Sequence, residues 1–209
     1  MRGENPLSDT VKPYHRHVFA CTGATSWPAR LREGNGLLAR MAREVRARRD
    51  AGGEIPKLTA TDEPSSGSRG YDLLVFPERI RYRSVDGATW RAVLRDHLDG
   101  GEPSPAVDHD PLPGRWVFVC VHGERDDRCG RCGPPLIDAL REAVRARGLD
   151  DVAVRATSHV GGHKYAGNVL VYPGGQWYGY VRPDDADRIV EEHLVEGDIV
   201  HDLHRGSMR

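Results

Sequence analysis

Two stretches of this chain repeat each other, and that repeat narrows the folds open to it. Ala60–Pro77 reads ATDEPSSGSRGYDLLVFP and Ala156–Pro173 reads ATSHVGGHKYAGNVLVYP, aligned without a gap at an offset of 96. Upstream, HVFACTG (His17–Gly23) resembles WVFVCVHG (Trp116–Gly123), which sets Cys21 against Cys120 at an offset of 99. Downstream, WRAVLRDHL (Trp90–Leu98) resembles ADRIVEEHL (Ala186–Leu194). Matching blocks in one order predict duplication of an αβ unit rather than chance similarity. With 209 residues the chain has room for two units, each able to bury a core.

Local patterns give each unit its elements. In the second, Trp116–Val121 is an apolar, β-rich run and predicts a strand. Pro134-Pro135 ahead of Leu136, Ile137, Leu140 and Val144 predicts a helix with proline in its first turn and Gly148 past its end. Val152–Ala156 is a second strand. Asn168–Tyr172 and Gln176–Val181 flank Pro173-Gly174-Gly175 as a hairpin, and Pro183 opens a helix to about Val195. The first unit follows suit: His17–Cys21, a helix around Gly36–Asp50, Ile55–Ala60, Asp72–Pro77, Ile80–Val85, and a helix near Trp90–Leu98. This order is that of the thioredoxin core. The expected fold is therefore α/β: two tandem thioredoxin-like units, β-α-β-β-β-α each, with mixed sheets and flanking helices, packed as a pseudo-dimer. The expected boundaries are 1–100, a Gly-, Pro- and acid-rich linker 101–114, and 115–209. The polar tail His201–Arg209 is expected to be disordered.

The duplicate is informative through what it omits. His159-Val160-Gly161-Gly162-His163 in the second unit faces Glu63 and Gly67 in the first, and Arg30 falls roughly opposite Cys129. Gly161 and Gly162 argue against a helix here, since each costs about 1 kcal/mol relative to alanine in a helix interior. The helical His-x-x-x-His of zinc hydrolases is thus excluded, and the glutamate of that motif is missing. A glycine-rich loop carrying two imidazoles remains. Cys120 ends a strand, and Cys129 is expected in the loop before the next helix, where unpaired N–H groups favour thiolate. Two thiolates and two imidazoles suffice to hold a metal centre.

Composition removes several alternatives. Net charge is −1, with 30 basic and 31 acidic side chains, so no broad footprint for nucleic acid or membrane is present. The polar start, Met1–His17, does not read as a secretory signal, and no apolar run reaches the roughly 18 residues of a bilayer span. The 4 cysteines then point to thiol, metal or redox chemistry, with the cytoplasm as the expected compartment.

The run C-x8-C-G…G-P-P-L followed by H-V-G-G-H-K-Y-A-G-N resembles the sucrase/ferredoxin-like family of thioredoxin-like [2Fe–2S] proteins. The resemblance covers essentially the whole chain, with its specific motifs in residues 116–181. It implies one iron held by Cys120 and Cys129 and the other by His159 and His163. Neutral imidazoles in place of two thiolates imply a higher potential than an all-cysteine cluster has, and proton-coupled reduction is a further expectation. One-electron transfer by a ferredoxin-like carrier follows, more an electron-transfer protein than a stand-alone enzyme. A separate reductase would be the donor and another redox protein or molecule the acceptor, the chain being a monomer or homodimer. The family name notwithstanding, the pair of carboxylates that sucrose hydrolysis needs cannot be assigned.

Two other readings use the same residues. Cys129-Gly130-Arg131-Cys132 has the spacing of a thiol–disulfide oxidoreductase, although this leaves Cys120, His159 and His163 without a role. A structural Cys2His2 zinc site has a suitable donor set. Among the remaining residues, His122 is expected to be a solvated loop histidine and Cys21 a buried relic. Lys164 and Arg128 flank the ligands, Tyr165, Trp177 and Tyr178 are candidates for shielding the centre, and Asn168 is a candidate tie for the histidine loop.

Overall fold

The computed structural model describes residues 6–51, 56–67 and 69–208, so Ile55 of the expected second strand lies outside them. The chain forms two compact units, Tyr14–Pro113 and Gly114–Met208, the latter joined by residues 6–13.

In the first unit β1 (His17–Cys21), α1 (Leu37–Asp50), β2 (Lys57–Thr61), β3 (Tyr71–Phe76) and β4 (Ile80–Val85) precede α2 (Gly87–Ala92). The last helix widens into π turns over Val93–Asp99. Strand β1 pairs parallel with β2 and antiparallel with β3, which pairs with β4. Its core joins Val18, Ala20, Met41, Leu73, Val75, Tyr82 and Trp90. The expected linker does not stand apart: His109–Pro111 is strand β5, paired with β4, and Ser104, Val107 and Leu112 are buried. Turn-rich composition marked this stretch as a spacer, but its scattered apolar residues fill the first unit's core.

The second unit repeats that order: β6 (Arg115–Cys120), α3 (Asp127–Ala146), β7 (Val152–Thr157), β8 (Val169–Tyr172), β9 (Gln176–Tyr178) and α4 (Ala186–Arg188), with π turns over Ile189–Val195. Strand β6 pairs parallel with β7 and antiparallel with β8, which pairs with β9. Each unit thus has a parallel pair, a crossover helix and an antiparallel hairpin, an α/β arrangement in the element order expected from the sequence. Small features recur as well. Tyr82 is hydrogen-bonded to His97, 2.9 Å away, and Tyr178 to His193. Arg16 donates to the Leu98 carbonyl at 3.3 Å, and Arg115 to that of Leu194.

Two expectations for the second unit are corrected. The tail is not disordered: His204–Ser207 forms β10 against β9, with Arg205 buried. Helix α3 starts at Asp127, about two turns before the prolines. Asp126 caps it, its carboxylate accepting the Arg128 N–H at 3.1 Å. Leu136, Ile137, Leu140 and Val144 are its buried face, the 3.6-residue stripe the sequence displays.

Candidate metal centre

Helix α3 comes close to β6 because position 133 has no side chain. A Cβ on Gly133 would lie 2.5 Å from the Cys120 carbonyl oxygen and 2.8 Å from Val121 Cα. That approach brings the first turn of α3, and with it Cys129, onto the end of β6 where Cys120 stands. Both thiols are buried at 1% exposure. Cys129 thus sits inside the helix's first turn, not in a preceding loop, and Cys132, one turn on, is exposed.

The loop after β7 completes the cluster of donors. Cys120, Cys129 and His159 bring ligand atoms to within 4.8 Å of one another. His163 is outside that trio but next to it. Its ring centroid is 5.5 Å from that of His159, and its Nδ1 is 3.8 Å from an Asp126 carboxylate oxygen. Its side chain is 48% exposed. The site is therefore sealed on the cysteine side and open at His163. Gly161 and Gly162 adopt φ of +96° and +68°, left-handed values that bend the loop and that residues with a Cβ avoid.

A hydrogen bond from Cys129 draws the Cys120 thiol well below its ordinary value; burial opposes this, while His159 and the N–H groups of His122 and Val160 add to it. Cys129 is pushed up, first by donating to Cys120 and then by burial. To hold a metal, Cys120 and Cys129 would both have to act as thiolates. The donors fit a metal: two sulfurs and an imidazole converge, and His159 Nδ1 is buried with no hydrogen-bond partner among the described residues, an arrangement costing about 1–3 kcal/mol when nothing takes up the nitrogen.

His122, expected to be solvated, is 1% exposed, and its Nδ1 accepts the His159 backbone N–H at 3.0 Å. Asn168 does tie the loop: buried, it donates from Nδ2 to the Gly162 carbonyl at 3.2 Å. Arg128 is committed to Asp126, with Nε and carboxylate 2.9 Å apart, and Lys164 lies over the Tyr165 ring, 4.8 Å from its centroid. Trp177 and Tyr178 are buried. In the first unit Arg81 occupies the matching region. It pairs with Glu63 at 2.9 Å and with Asp72, fully buried, at 2.8 Å, beside buried Cys21.

The sucrase/ferredoxin-like family model matches residues 7–206. "Altered inheritance of mitochondria protein 32" of Clavispora lusitaniae is 44% identical over 129 residues, 60% of this chain and 44% of that protein. Its namesake in Meyerozyma guilliermondii is 39% identical over 163 residues, 67% of this chain and 58% of that one. The chain thus spans less than two-thirds of the length of these relatives. Among solved structures, a thioredoxin-like [2Fe–2S] ferredoxin from Aquifex aeolicus is 28% identical. The match covers 46% of this chain and 94% of the ferredoxin, with a TM-score of 0.43. Among the described residues, no helix is long and apolar enough to cross a membrane.

Proposed function

Because this chain belongs to the sucrase/ferredoxin-like family, we propose that it holds a [2Fe–2S] cluster through Cys120, Cys129, His159 and His163. The observation that carries the reading is the convergence of Cys120, Cys129 and His159 within 4.8 Å, with His163 beside them. When bound, such a cluster supplies one-electron redox chemistry. The chain contributes the rest. The backbone N–H groups of His122 and Val160 stabilise the Cys120 thiolate, His122 and Asn168 hold the histidine loop from either side, and the buried cysteines keep water from the sulfurs. The chain acts as an electron carrier between a separate reductase and a separate acceptor, and the first unit, with Arg81 in the matching region, carries no cluster.

The dithiol alternative fits the geometry less well. Its nucleophile, Cys129, is buried and pushed toward the thiol form, whereas an attacking cysteine needs thiolate and access. The deciding experiment is a visible spectrum of anaerobically purified protein with iron and acid-labile sulfide assayed on the same sample. Broad visible absorption bleached by dithionite, with about two irons and two sulfides per chain, is expected for this ligand set. One zinc persisting through iron–sulfur reconstitution would replace the cluster by a structural site.

A further inference from the structure

The histidine loop is backed by a residue from a distant part of the chain. Arg205, on β10, is 2% exposed. It donates to Asn168 Oδ1, to Thr10 Oγ1 at 3.1 Å and to the Thr10 carbonyl at 3.3 Å. Its guanidinium carbon lies 4.2 Å from the centroid of the Tyr165 ring and 5.6 Å from that of Trp177. Among the described residues its hydrogen-bond partners are neutral, and burial draws its pKa down to about 10, which leaves it charged at neutral pH. A Cβ on Gly162, between the two histidines, would lie 2.5 Å from its Nη2. Arg205 therefore fills the space directly behind the left-handed turn and grips Asn168, the residue whose amide holds the Gly162 carbonyl.

We propose that Arg205 is a positioning residue for the histidine loop, fixing His159 and His163 through Asn168 and Gly162, so that β10 is part of the metal centre's frame. The proposal rests on the assignment of His159 and His163 as ligands. Arg205 touches neither imidazole. Its effect passes through the amide of Asn168 and the backbone at Gly162, and losing a buried hydrogen bond of this kind leaves its partner unsatisfied.

The test uses the full chain with Arg205→Met, which keeps length but removes charge and donors, Arg205→Lys as the conservative variant, and Asn168→Ala, which leaves β10 intact. Amide hydrogen exchange of the metal-free protein is followed by mass spectrometry over residues 159–168, with Arg115–Cys120 as reference. Arg205→Met and Asn168→Ala are expected to speed loop exchange about ten- to a hundredfold while the reference strand stays protected, and Arg205→Lys to recover most of the difference. After iron–sulfur reconstitution, or zinc loading, release to a chelator should accelerate in the same order. Unchanged loop exchange in both variants overturns the proposal, as does an equal rise in the reference strand. If Arg205→Met does not fold, Asn168→Ala decides. If the wild-type chain takes up neither iron nor zinc, the ligand assignment fails, while loop exchange still tests the clamp.

Discussion

His122 accepts the backbone N–H of His159 on its Nδ1, 3.0 Å away, from a buried position between the two cysteines in sequence. The bond requires Nδ1 to be free of a proton, and it ties the cysteine loop to the histidine loop. His122→Ala leaves that N–H without its acceptor and should cost about 1–3 kcal/mol of stability, read by urea unfolding. His122→Asn, whose side-chain oxygen can replace Nδ1, is expected to recover part of the loss.

The donors predict a graded response to replacement. Cys120→Ser, Cys129→Ser and His159→Ala each remove a member of the converging trio and should abolish iron and sulfide uptake. His163→Ala removes the half-exposed donor and should leave a labile centre. Cys132→Ser should leave iron content unchanged, and loss of the cluster in that variant alone would displace Cys120 or Cys129 from the set.

Thiol accessibility gives an independent check on the metal-free protein. Cys21, Cys120 and Cys129 are buried and Cys132 is exposed. Brief alkylation under native, reducing conditions should modify Cys132 first, with peptide mapping to locate the label. Early labelling of Cys129 would show that the first turn of α3 opens readily.

The first unit should depend on its ion network instead of a metal. Arg81→Ala removes the nearer of two arginines paired with Asp72, whose side chain is 0% exposed, and leaves Arg83 at 3.5 Å, and weakening a buried pair leaves its charge only partly compensated. The Arg83 pairing and hydrogen bonds from Ser66 and Ser84 remain on Asp72, so a loss of no more than about 3 kcal/mol, the lower end for such changes, is expected. Iron content should not change.

Acid should destabilise the same unit through Glu78. Burial would raise its pKa, but His97 and Arg16 outweigh burial and bring it from 4.5 to about 2. His97 Nε2 stands 3.7 Å from the Glu78 carboxylate, beyond hydrogen-bond distance. The folded state prefers the carboxylate, so the stabilisation is complete above pH 4.5 and is lost as pH falls toward 2. It amounts to about 2–3 kcal/mol. Urea midpoints measured across that window should fall in the wild type, and Glu78→Gln should flatten this limb.

Much of this was legible in the chain because the information is local. Apolar runs such as Trp116–Val119 and turn residues such as Pro173-Gly174 report strands and a hairpin without reference to the rest of the fold. The grouping of Cys120, Cys129 and His159 was legible too, since cysteine and histidine at short spacings have few bland explanations. The start of α3 was not: Asp-Asp-Arg-Cys-Gly-Arg-Cys-Gly has weak helix propensity and is held by the Asp126 cap and by packing through Gly133, a tertiary effect. Strands β5 and β10 are short and polar, and only their partners make them strands. His122 and Arg205 escaped for the same reason, as neither has a spacing that announces a role and both are defined by what they meet across the fold.

The bonds from Arg16 to the Leu98 carbonyl and from Arg115 to that of Leu194 bear on how each unit unfolds. In each, the start of the first central strand is pinned to the end of the last helix, at the π turns where the widened helical spacing leaves carbonyls available. Ends of elements ordinarily fray one at a time. Here, loosening the helix end removes a support of the strand that carries Cys21 or Cys120, so the two ends should open together as one cooperative block.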